Sequence, residues 1–364
     1  MIKMTFLNKK IFNSSASIFG LDLSDLSIKL VKLEENGKED ELVSYGTVQL
    51  PFGAISDGEI KEKSQVIEAI NKLVKISGPK KVKTKKVICS IPETKAFLRI
   101  ISIPKMSEEE ISEAVKWEIE ANIPLSLEQV YYDWQIVTES LKIEKNKINL
   151  LVVAVSRIII DEIISVIEEA GLDVVGLEIE SISQARSLLS QEDCNKTVLI
   201  VDIGDRRTSF SIAKEGVLCF TSSIPLSGQS LTDTIARGMS ISSKEAEEIK
   251  FNYGIGSDFK NDALFQLTKP ILENFSQEIE KSADFYLSGL GYSKSIDKII
   301  VCGGGANTKG IVPYLSKKLG REIELGNPWS NVNFGKKLPL IEKGQAVQYS
   351  TAIGLALRGI QYED

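Results

Sequence analysis

Two acidic turns in this sequence carry residues that could bind a phosphorylated ligand. Asp22 ends a β-rich run and precedes a polar turn, and Asp202 stands in the same position before Gly204 and Thr208. Like charges repel strongly in a cleft, so two carboxylates favour a triphosphate only if hydrated Mg²⁺ lies between them and the phosphate oxygens. The N–H groups of the turns and the Thr208 hydroxyl would then hold the phosphates.

A glycine run near the C-terminus is the third such motif. A buried strand leads directly into it, and Asn307 is the predicted N-cap of a following helix. Glycine lacks a Cβ atom, so the backbone can approach a flat or charged ligand closely, and the N–H groups at a helix start can face a phosphate. The spacing excludes the GxGxxG and GxxxxGK[ST] motifs, and a tight turn without a ligand is the alternative interpretation. The residues that could lie against an adenosine are Gly303, Gly304, Gly305 and Ala306.

The elements around the two acidic turns repeat along the chain. Residues 18–33 and 198–213 each contain a β-rich run, an acidic turn and a second alternating run, and a third strand follows each at 42–50 and 217–224. Alternation of apolar and polar residues is typical of half-buried strands. The repeat predicts a duplicated, two-lobed α/β protein, and chance similarity of two hairpins is the alternative.

Capping residues place the helices between these strands. Ser107 with Glu110 and Ser242 with Glu245 form predicted capping boxes, and Gly254 follows the second helix as a C-terminal signal. Strand and helix patterns over 96–175 predict a small α+β insertion within the first lobe. The other predicted helices are 62–76, 158–170, 227–239, 270–289, 307–319 and 344–358.

Composition narrows the functional classes. The 364 residues are 43% hydrophobic and 26% charged with a net charge of −6, which disfavours a disordered chain and a nucleic-acid binder. There is no histidine, which excludes imidazole-based catalysis and metal ligation, and the four cysteines show no CxxC spacing. The longest apolar run, Leu150–Val155, is too short to span a bilayer, and residues 1–17 lack the features of a signal peptide. We therefore expect a cytoplasmic protein.

The order of the three motifs resembles the actin, Hsp70 and sugar-kinase ATPase superfamily. More narrowly, the sequence is similar to the PilM family of type IV pilus assembly proteins, relatives of FtsA, through stretches such as GLDLSDLSIKLVKL, WEIEANIP, GLDVVGLEIESISQA, VCGGGA and GLALRGI. The resemblance implies a two-lobed actin-like ATPase fold with duplicated RNase H-like lobes and a small α+β insertion subdomain. The implied division of the chain is an extension at 1–17, the first lobe at 18–95 and 176–197, the insertion at 96–175, the second lobe at 198–340, and a C-terminal helix at 341–364 that returns to the first lobe.

The resemblance also implies a site for ATP and Mg²⁺ in the interlobe cleft. Asp22 and Asp202 would hold Mg²⁺ through water, Glu247 and Lys250 would reach the ribose or base, and ordinary helical charge pairing is the alternative for the last two. The candidate nucleotide-binding residues are Asp22, Ser24, Ser27, Lys29, Asp202, Gly204, Thr208, Gly228, Glu247, Lys250, Gly303, Gly304, Gly305 and Ala306.

Both turns depart from the pattern of the implied family. The first lacks the usual glycine and carries Asp25, whose charge should disfavour a phosphate, as should that of Asp205 in the second turn. Arg206 and Arg207 stand where small or hydroxyl residues are usual and could pair directly with a phosphate. Catalytic residues stay unassigned, and we expect at most a weak ATPase or a nucleotide-binding scaffold with a degenerate site.

The implied function is a cytoplasmic scaffold that binds the N-terminal cytoplasmic peptide of a PilN-like inner-membrane protein. The peptide groove is expected between the first lobe and the insertion, and the predicted anchors are Trp117, Ile123, Leu125 and Tyr132. Core packing is the alternative for the aromatic residues. No nucleic acid and no membrane span are expected, and other pilus components or further copies of the chain fit as partners. An FtsA-like division protein, which typically ends in a basic amphipathic helix, and a superfamily ATPase or phosphotransferase are the alternative functions.

Overall fold

The structure, a computed structural model, describes residues 17–123, 125–137, 146–193, 195–256, 262–289, 296–336 and 340–360. Within these ranges the chain forms two mixed α/β lobes that face each other across a cleft, and a small third sheet is attached to the first lobe. The predicted extension lies outside the described residues except for Ser17, as do Pro124, Cys194 and residues 361–364. Among the described helices, none is long and apolar enough to cross a membrane.

The first half of the chain builds the first lobe and the small sheet. Its elements are β1 (Phe19–Leu23), β2 (Ser27–Asn36), β3 (Glu39–Gln49), β4 (Ile55–Ser56), β5 (Glu59–Ile60), α1 (Lys63–Ile76), β6 (Gly78–Pro79), β7 (Lys86–Ile91), β8 (Ala96–Pro104), α2 (Glu108–Asn122), β9 (Val130–Ile136), β10 (Lys147–Ser156), α3 (Arg157–Glu169), β11 (Asp173–Ile179) and α4 (Glu180–Leu188). Six of the strands form one sheet in the order β11-β7-β1-β2-β3-β6.

The second half of the chain builds the second lobe and returns to the first. Its elements are β12 (Thr197–Ile203), β13 (Thr208–Lys214), β14 (Val217–Ile224), α5 (Gly228–Met239), α6 (Ser243–Tyr253), α7 (Ala263–Asp284), β15 (Lys298–Cys302), α8 (Ile311–Leu319), β16 (Ile323–Leu325), α9 (Lys343–Ala346) and α10 (Ser350–Ile360). The five strands pair in the order β14-β13-β12-β15-β16.

The two sheets share one topology. In each, three consecutive strands pair antiparallel, and two later strands add in parallel beside the first strand. Strands β1, β2, β3, β7 and β11 therefore correspond to β12, β13, β14, β15 and β16. The predicted duplication and the two-lobed fold are confirmed. Because parallel strands of one sheet end at the same edge, the turns after β1 and β12 lie where each lobe faces the cleft.

The small sheet has the order β8-β10-β9 and two buried faces. Leu150 and Val152 of β10 pack under α2 with Ile111, while Leu151 and Val153 pack into the core of the first lobe. This separation follows from the two-residue side-chain period of a strand. The separate sheet ends at Ser156, because α3 packs on the first-lobe core and β11 joins the first sheet. The domain boundaries given above remain predictions.

The capping boxes at Ser107 and Ser242 are present, and α1, α3 and α5 match their predicted ranges to within one residue. The predicted start of α7 at residue 270 is wrong, since the Asp262 side chain accepts from the N–H groups of Leu264 and Phe265 and begins the helix earlier. The predicted N-cap at Asn307 is also wrong. Residues 304–307 form a short 3₁₀ turn, and α8 begins only after Gly310.

Helix α10 lies in the interior and packs on β1, β2 and α4 of the first lobe. Its Arg358 is fully buried and pairs with Glu178 at 3.1 Å, and Arg186 pairs with the same carboxylate. Burial alone would raise the pKa of Glu178, but the two guanidinium groups outweigh it and the pKa is lowered. Breaking one member of such a buried ion group leaves an uncompensated charge, so this cluster fastens the end of the chain to the first lobe.

Candidate functional site

A cleft of about 470 Å³ lies between the two lobes. Twelve of the fourteen predicted nucleotide-binding residues line it, which brings both acidic turns and the glycine run to one site. These residues are Asp22, Ser24, Ser27, Lys29, Asp202, Gly204, Gly228, Glu247, Lys250, Gly303, Gly304 and Gly305.

The first turn holds its carboxylate with polar neighbours. Asp22 on β1 lies directly opposite Lys29 on β2, with 3.7 Å between the ammonium nitrogen and Oδ2. Ser90 of β7 donates its hydroxyl to Asp22 Oδ1 at 3.2 Å, and Ser24 donates to Oδ2 at 3.4 Å. Lys29 also donates to the Ser27 hydroxyl at 2.8 Å. The turn therefore presents a carboxylate, two hydroxyls and an ammonium group to the cleft.

The second turn has the same backbone arrangement but different neighbours. Asp202 on β12 lies opposite Ser209 on β13, and it receives a hydrogen bond from the Gln184 amide at 2.7 Å. Burial raises the pKa of Asp202 to about 6, and the nearby charge of Asp22 adds to the shift against the opposing effect of Gln184. A carboxyl group with this pKa titrates close to neutrality, and bound divalent cation would favour its ionised form.

The residues that depart from the family pattern line the cleft, and three of them contact other parts of the protein. Asp25 accepts the backbone N–H groups of Asp57 and Gly58, both at 3.0 Å, so its carboxylate is engaged by a loop of the first lobe. Arg207 of the second lobe pairs with Asp57 at 3.7 Å, and the Arg206 guanidinium lies 4.4 Å from the centre of the Phe52 ring. Both arginines therefore contact the first lobe, and their direct pairing with a phosphate stays a prediction.

We call the contacts Arg206–Phe52 and Arg207–Asp57 the interlobe clamp. Arg207 is further held by Ser223 of β14, whose hydroxyl accepts at 3.1 Å. Each exposed contact of this kind contributes about 0.5–1 kcal/mol. The clamp therefore favours a closed cleft weakly enough for a ligand to displace it.

The glycine run lies beside the second acidic turn in the wall of the cleft. Gly303 has φ of +84°, and a Cβ atom there would lie 2.1 Å from Asp202 Oδ1. A Cβ at Gly305 would lie 2.4 Å from Ile203 Cγ2. Only glycine lets β15 turn this closely over the second acidic turn. Ala306 is buried in the core of the second lobe, not in the cleft wall.

Thr208 is the other predicted residue outside the cleft lining. It is fully buried at the start of β13, and its hydroxyl donates to the Leu226 carbonyl at 2.6 Å. The Thr208 hydroxyl was expected to contact a phosphate. In the structure it donates its proton to the turn that leads into α5 instead. Gly228, the first residue of α5, borders the cleft as predicted.

Glu247 and Lys250 form a local network where α6 and α5 border the cleft. The Lys250 ammonium group donates to the Gly228 carbonyl at 3.1 Å and to Thr232 Oγ1 at 2.9 Å, and it pairs with Glu247 at 2.8 Å. Thr232 also donates to Glu247. These contacts hold α6 against the start of α5. The position fits both the predicted ligand role and the alternative of helical charge pairing.

The cleft lining includes residues that the sequence analysis did not predict, among them two glutamates and an aromatic residue. Glu180 and Glu93 lie behind the two acidic turns, and Phe251 lies on α6 at the mouth with 80% of its surface exposed. Burial and the neighbouring carboxylates raise the pKa of Glu180 well above its usual range, and burial raises the pKa of Glu93. An acidic residue at a junction between an apolar strand and a helix is the sequence signal that could have identified Glu180.

No group of three or more acidic or cysteine side chains within the described residues is arranged to bind a metal ion directly. Two carboxylates can instead hold an ion through its bound waters. This arrangement suits Mg²⁺, because this ion usually keeps several of its waters. Asp22, Asp202 and the close backbone at Gly303 are compatible with such an ion and its nucleotide.

The predicted partner anchors lie on the α2 side of the small sheet. Trp117 is 71% exposed on α2, Leu125 is 36% exposed, and Ile123 and Tyr132 are half-buried against α2. Core packing is therefore excluded for Trp117. Tyr132 was expected to face a groove between the first lobe and the insertion, but its side chain lies on the α2 side of the small sheet. Side chains alternate along β9, so the neighbouring Tyr131 points to the other side and contacts α3.

Comparison with known proteins identifies the family of this chain. A model of the family described as type IV pilus assembly protein PilM matches residues 20–360. The chain belongs to this family. A solved PilM-PilN type IV pilus biogenesis complex contains a chain that is 25% identical to this one, with a TM-score of 0.81, over 95% of this chain and 99% of that chain.

Further similarities of this PilM family member are to cell division and MreB proteins. Cell division protein FtsA of Bacillus subtilis (strain 168) is 24% identical over 218 residues, which are 55% of this chain and 47% of that protein. The chain thus spans about half the length of the curated relatives it matches. MreB5 of Spiroplasma citri, solved with bound AMPPNP, has a TM-score of 0.51 at 14% identity, which shows the fold alone.

Proposed function

We propose that this PilM family member is a cytoplasmic scaffold of the type IV pilus assembly machine. In this role it binds the N-terminal cytoplasmic peptide of a PilN-like inner-membrane protein. The observation that carries the proposal is the match to the chain of the PilM-PilN complex, which covers almost all of both chains. The FtsA matches cover about half of each protein and give less support to a role in cell division.

The exposed face of α2 supports the proposed peptide site. The Trp117 indole is largely exposed, although a large aromatic side chain contributes most to stability when it is buried. Exposed Glu120 lies one turn along the same helix, where a carboxylate could meet a basic residue of the peptide. Aromatic anchors surrounded by polar residues are typical of binding hot spots.

The peptide site can be tested by pull-down of a synthetic N-terminal peptide from the membrane partner. Trp117→Ala should weaken binding at least tenfold and leave the melting temperature close to that of the wild type, since the side chain is exposed. Tyr253→Ala, at an aromatic residue of the second lobe that is 68% exposed, is the matched control. Wild-type affinity in the Trp117 variant would place the peptide site elsewhere.

The cleft supports Mg²⁺ and ATP as the ligands of the same protein. Asp22 and Asp202 would hold the hydrated ion, the glycine run would lie against the nucleoside, and Lys250 with Glu247 would contact the ribose or base. When bound, the ion would neutralise charge on the phosphates. Both acidic turns depart from the family pattern, at Asp25 in the first and at Asp205, Arg206 and Arg207 in the second. We therefore propose nucleotide binding with at most weak ATPase activity.

A further inference from the structure

A strongly basic segment lies far from the cleft. Residues 72–86 contain seven lysines and no acidic residue, whereas the remainder of the chain contains 37 basic and 50 acidic residues. The exposed lysines lie on the last turns of α1 and on the connection to β7. We call them the basic edge: Lys72, Lys75, Lys80, Lys81, Lys83 and Lys85.

The position of the basic edge follows from the strand directions of the first sheet. Lys80 N–H donates to the Val43 carbonyl of β3, and Asp173 N–H of β11 donates to the Lys85 carbonyl. The segment therefore crosses one end of the sheet from β3 to β11, at the starts of β7 and β11. The cleft lies at the other ends of these strands, where Glu93 and Glu180 follow them. A six-residue strand such as β7 places the two ends roughly 17–20 Å apart.

Few carboxylates neutralise these lysines. Lys80 pairs with Glu41, but the described ion pairs include none with Lys72, Lys75, Lys81, Lys83 or Lys85. Glu68 lies one turn before Lys72 on α1, and Glu168 and Glu169 end α3 on the side of β11. The acidic residues of the β2–β3 hairpin lie at the same end of the sheet on the Lys80 side, and Asp173 lies beside Lys85. The excess positive charge is therefore on the exposed lysines between them, Lys75, Lys81 and Lys83, and on Lys72.

We propose that the basic edge binds the surface of an anionic phospholipid membrane directly. Lysines near such a surface each strengthen binding roughly fivefold through the negative surface potential. Ile76, which is 57% exposed among the lysines, can enter the interfacial layer. The proposal depends on neither the nucleotide nor the partner peptide of the proposed function.

The composition of the edge favours a lipid surface over a nucleic acid. The segment contains no arginine for bidentate contacts to bases and no aromatic ring for base stacking. Ammonium groups on flexible stems suit a fluid layer of headgroups, because no fixed geometry is required of them. An acidic protein surface and a nucleic acid remain outcomes of the test.

The experiment is sedimentation of the purified full-length chain with vesicles of phosphatidylglycerol and phosphatidylcholine. The edge variant combines Lys75→Gln, Lys81→Gln, Lys83→Gln and Lys85→Gln. The control variant has the same net charge through exposed lysines elsewhere, namely Lys244→Gln, Lys269→Gln, Lys336→Gln and Lys343→Gln.

We expect the wild type to sediment with the mixed vesicles and not with pure phosphatidylcholine. The edge variant should bind at least 100-fold more weakly, and the control variant should stay within a few-fold of the wild type. All substituted side chains are exposed, so equal melting temperatures verify folding. Equal losses in both variants, no binding by the wild type, or tighter binding to duplex DNA than to vesicles would overturn the proposal.

Discussion

The two acidic turns occupy equivalent places in duplicated lobes, yet their carboxylates have different surroundings. Asp22 faces Lys29 across its hairpin, and Asp202 faces Ser209 at the equivalent position. Asp22 thus has an ammonium group within 3.7 Å, while an amide is the hydrogen-bond donor to Asp202. The duplication fixes where each carboxylate lies, and the cross-strand neighbour determines how readily it holds a charge.

This difference matters because a hydrated cation between the turns needs both groups ionised. The pKa of Asp202 is raised to about 6, so its charge changes near the lower end of the physiological range. Burial also raises the pKa of the neighbouring Glu180 well above its usual range. The first turn therefore has a cation of its own, whereas the second turn gains most from an added one.

The largest expected effect is on the pH dependence of stability. The folded pKa of Asp202 lies above its ordinary value of 3.8, so this group stabilises the fold below pH 3.8 and loses its contribution as pH rises through about 6. The full loss is about 3 kcal/mol. Asp202→Asn removes this loss, and its stability relative to the wild type should rise by about 2 kcal/mol from pH 4.5 to pH 7.5.

Urea unfolding of both proteins at a series of pH values measures this difference. Burial raises the pKa of Glu93, which contributes equally to both proteins, whereas the charge of Asp202 helps to raise the pKa of Glu180. The difference therefore reports Asp202 together with its interaction with Glu180. A constant stability difference across this range would show that Asp202 is ionised at all these pH values.

A swap of the cross-strand neighbour sharpens the comparison. Ser209→Lys places an ammonium group opposite Asp202, as Lys29 stands opposite Asp22, and the cleft gives the longer side chain room. The pKa of Asp202 should fall, and the pH-dependent loss of stability should shrink by about 1–2 kcal/mol. Urea unfolding over the same pH series checks this, and an unchanged slope would mean that burial alone controls Asp202.

The interlobe clamp gives the smallest effect. Phe52→Ala combined with Asp57→Ala removes both first-lobe partners of the arginines, which should accelerate release of a fluorescent ATP analogue about three- to tenfold. The free energy of unfolding should change by less than about 2 kcal/mol, since both contacts are exposed. Stopped-flow measurement of release checks this. Unchanged release would show that the clamp is broken in the nucleotide-bound protein.

The sequence predicted the features that depend on local order along the chain. The repeat of strand, acidic turn and strand predicted both lobes, and the family resemblance carried by the order of Asp22, Asp202 and the glycine run implied one cleft. Capping residues fixed the starts of α2 and α6 because the hydrogen bonds involved are local. These signals require no knowledge of how distant segments meet.

The features that the sequence could not supply depend on contacts between distant segments. Arg206 and Arg207 reach the first lobe, and Asp25 binds the backbone of a loop about thirty residues away, contacts that no local pattern in the sequence indicates. The hydroxyl of Thr208 has a backbone partner 18 residues later in the chain. The exposure of Trp117 depends on which face of α2 packs on the small sheet.

The most direct test of the account is a calorimetric titration of the purified protein with ATP at pH 7.5, in Mg²⁺ and in EDTA. The account predicts binding in Mg²⁺ that is at least tenfold weaker in EDTA. Asp202→Asn should reduce the affinity in Mg²⁺ to the EDTA level and have little effect in EDTA, because the carboxylate acts through the ion. Equal wild-type affinity in both conditions, or equal losses from Asp202→Asn in both, would contradict a cation held between the two turns.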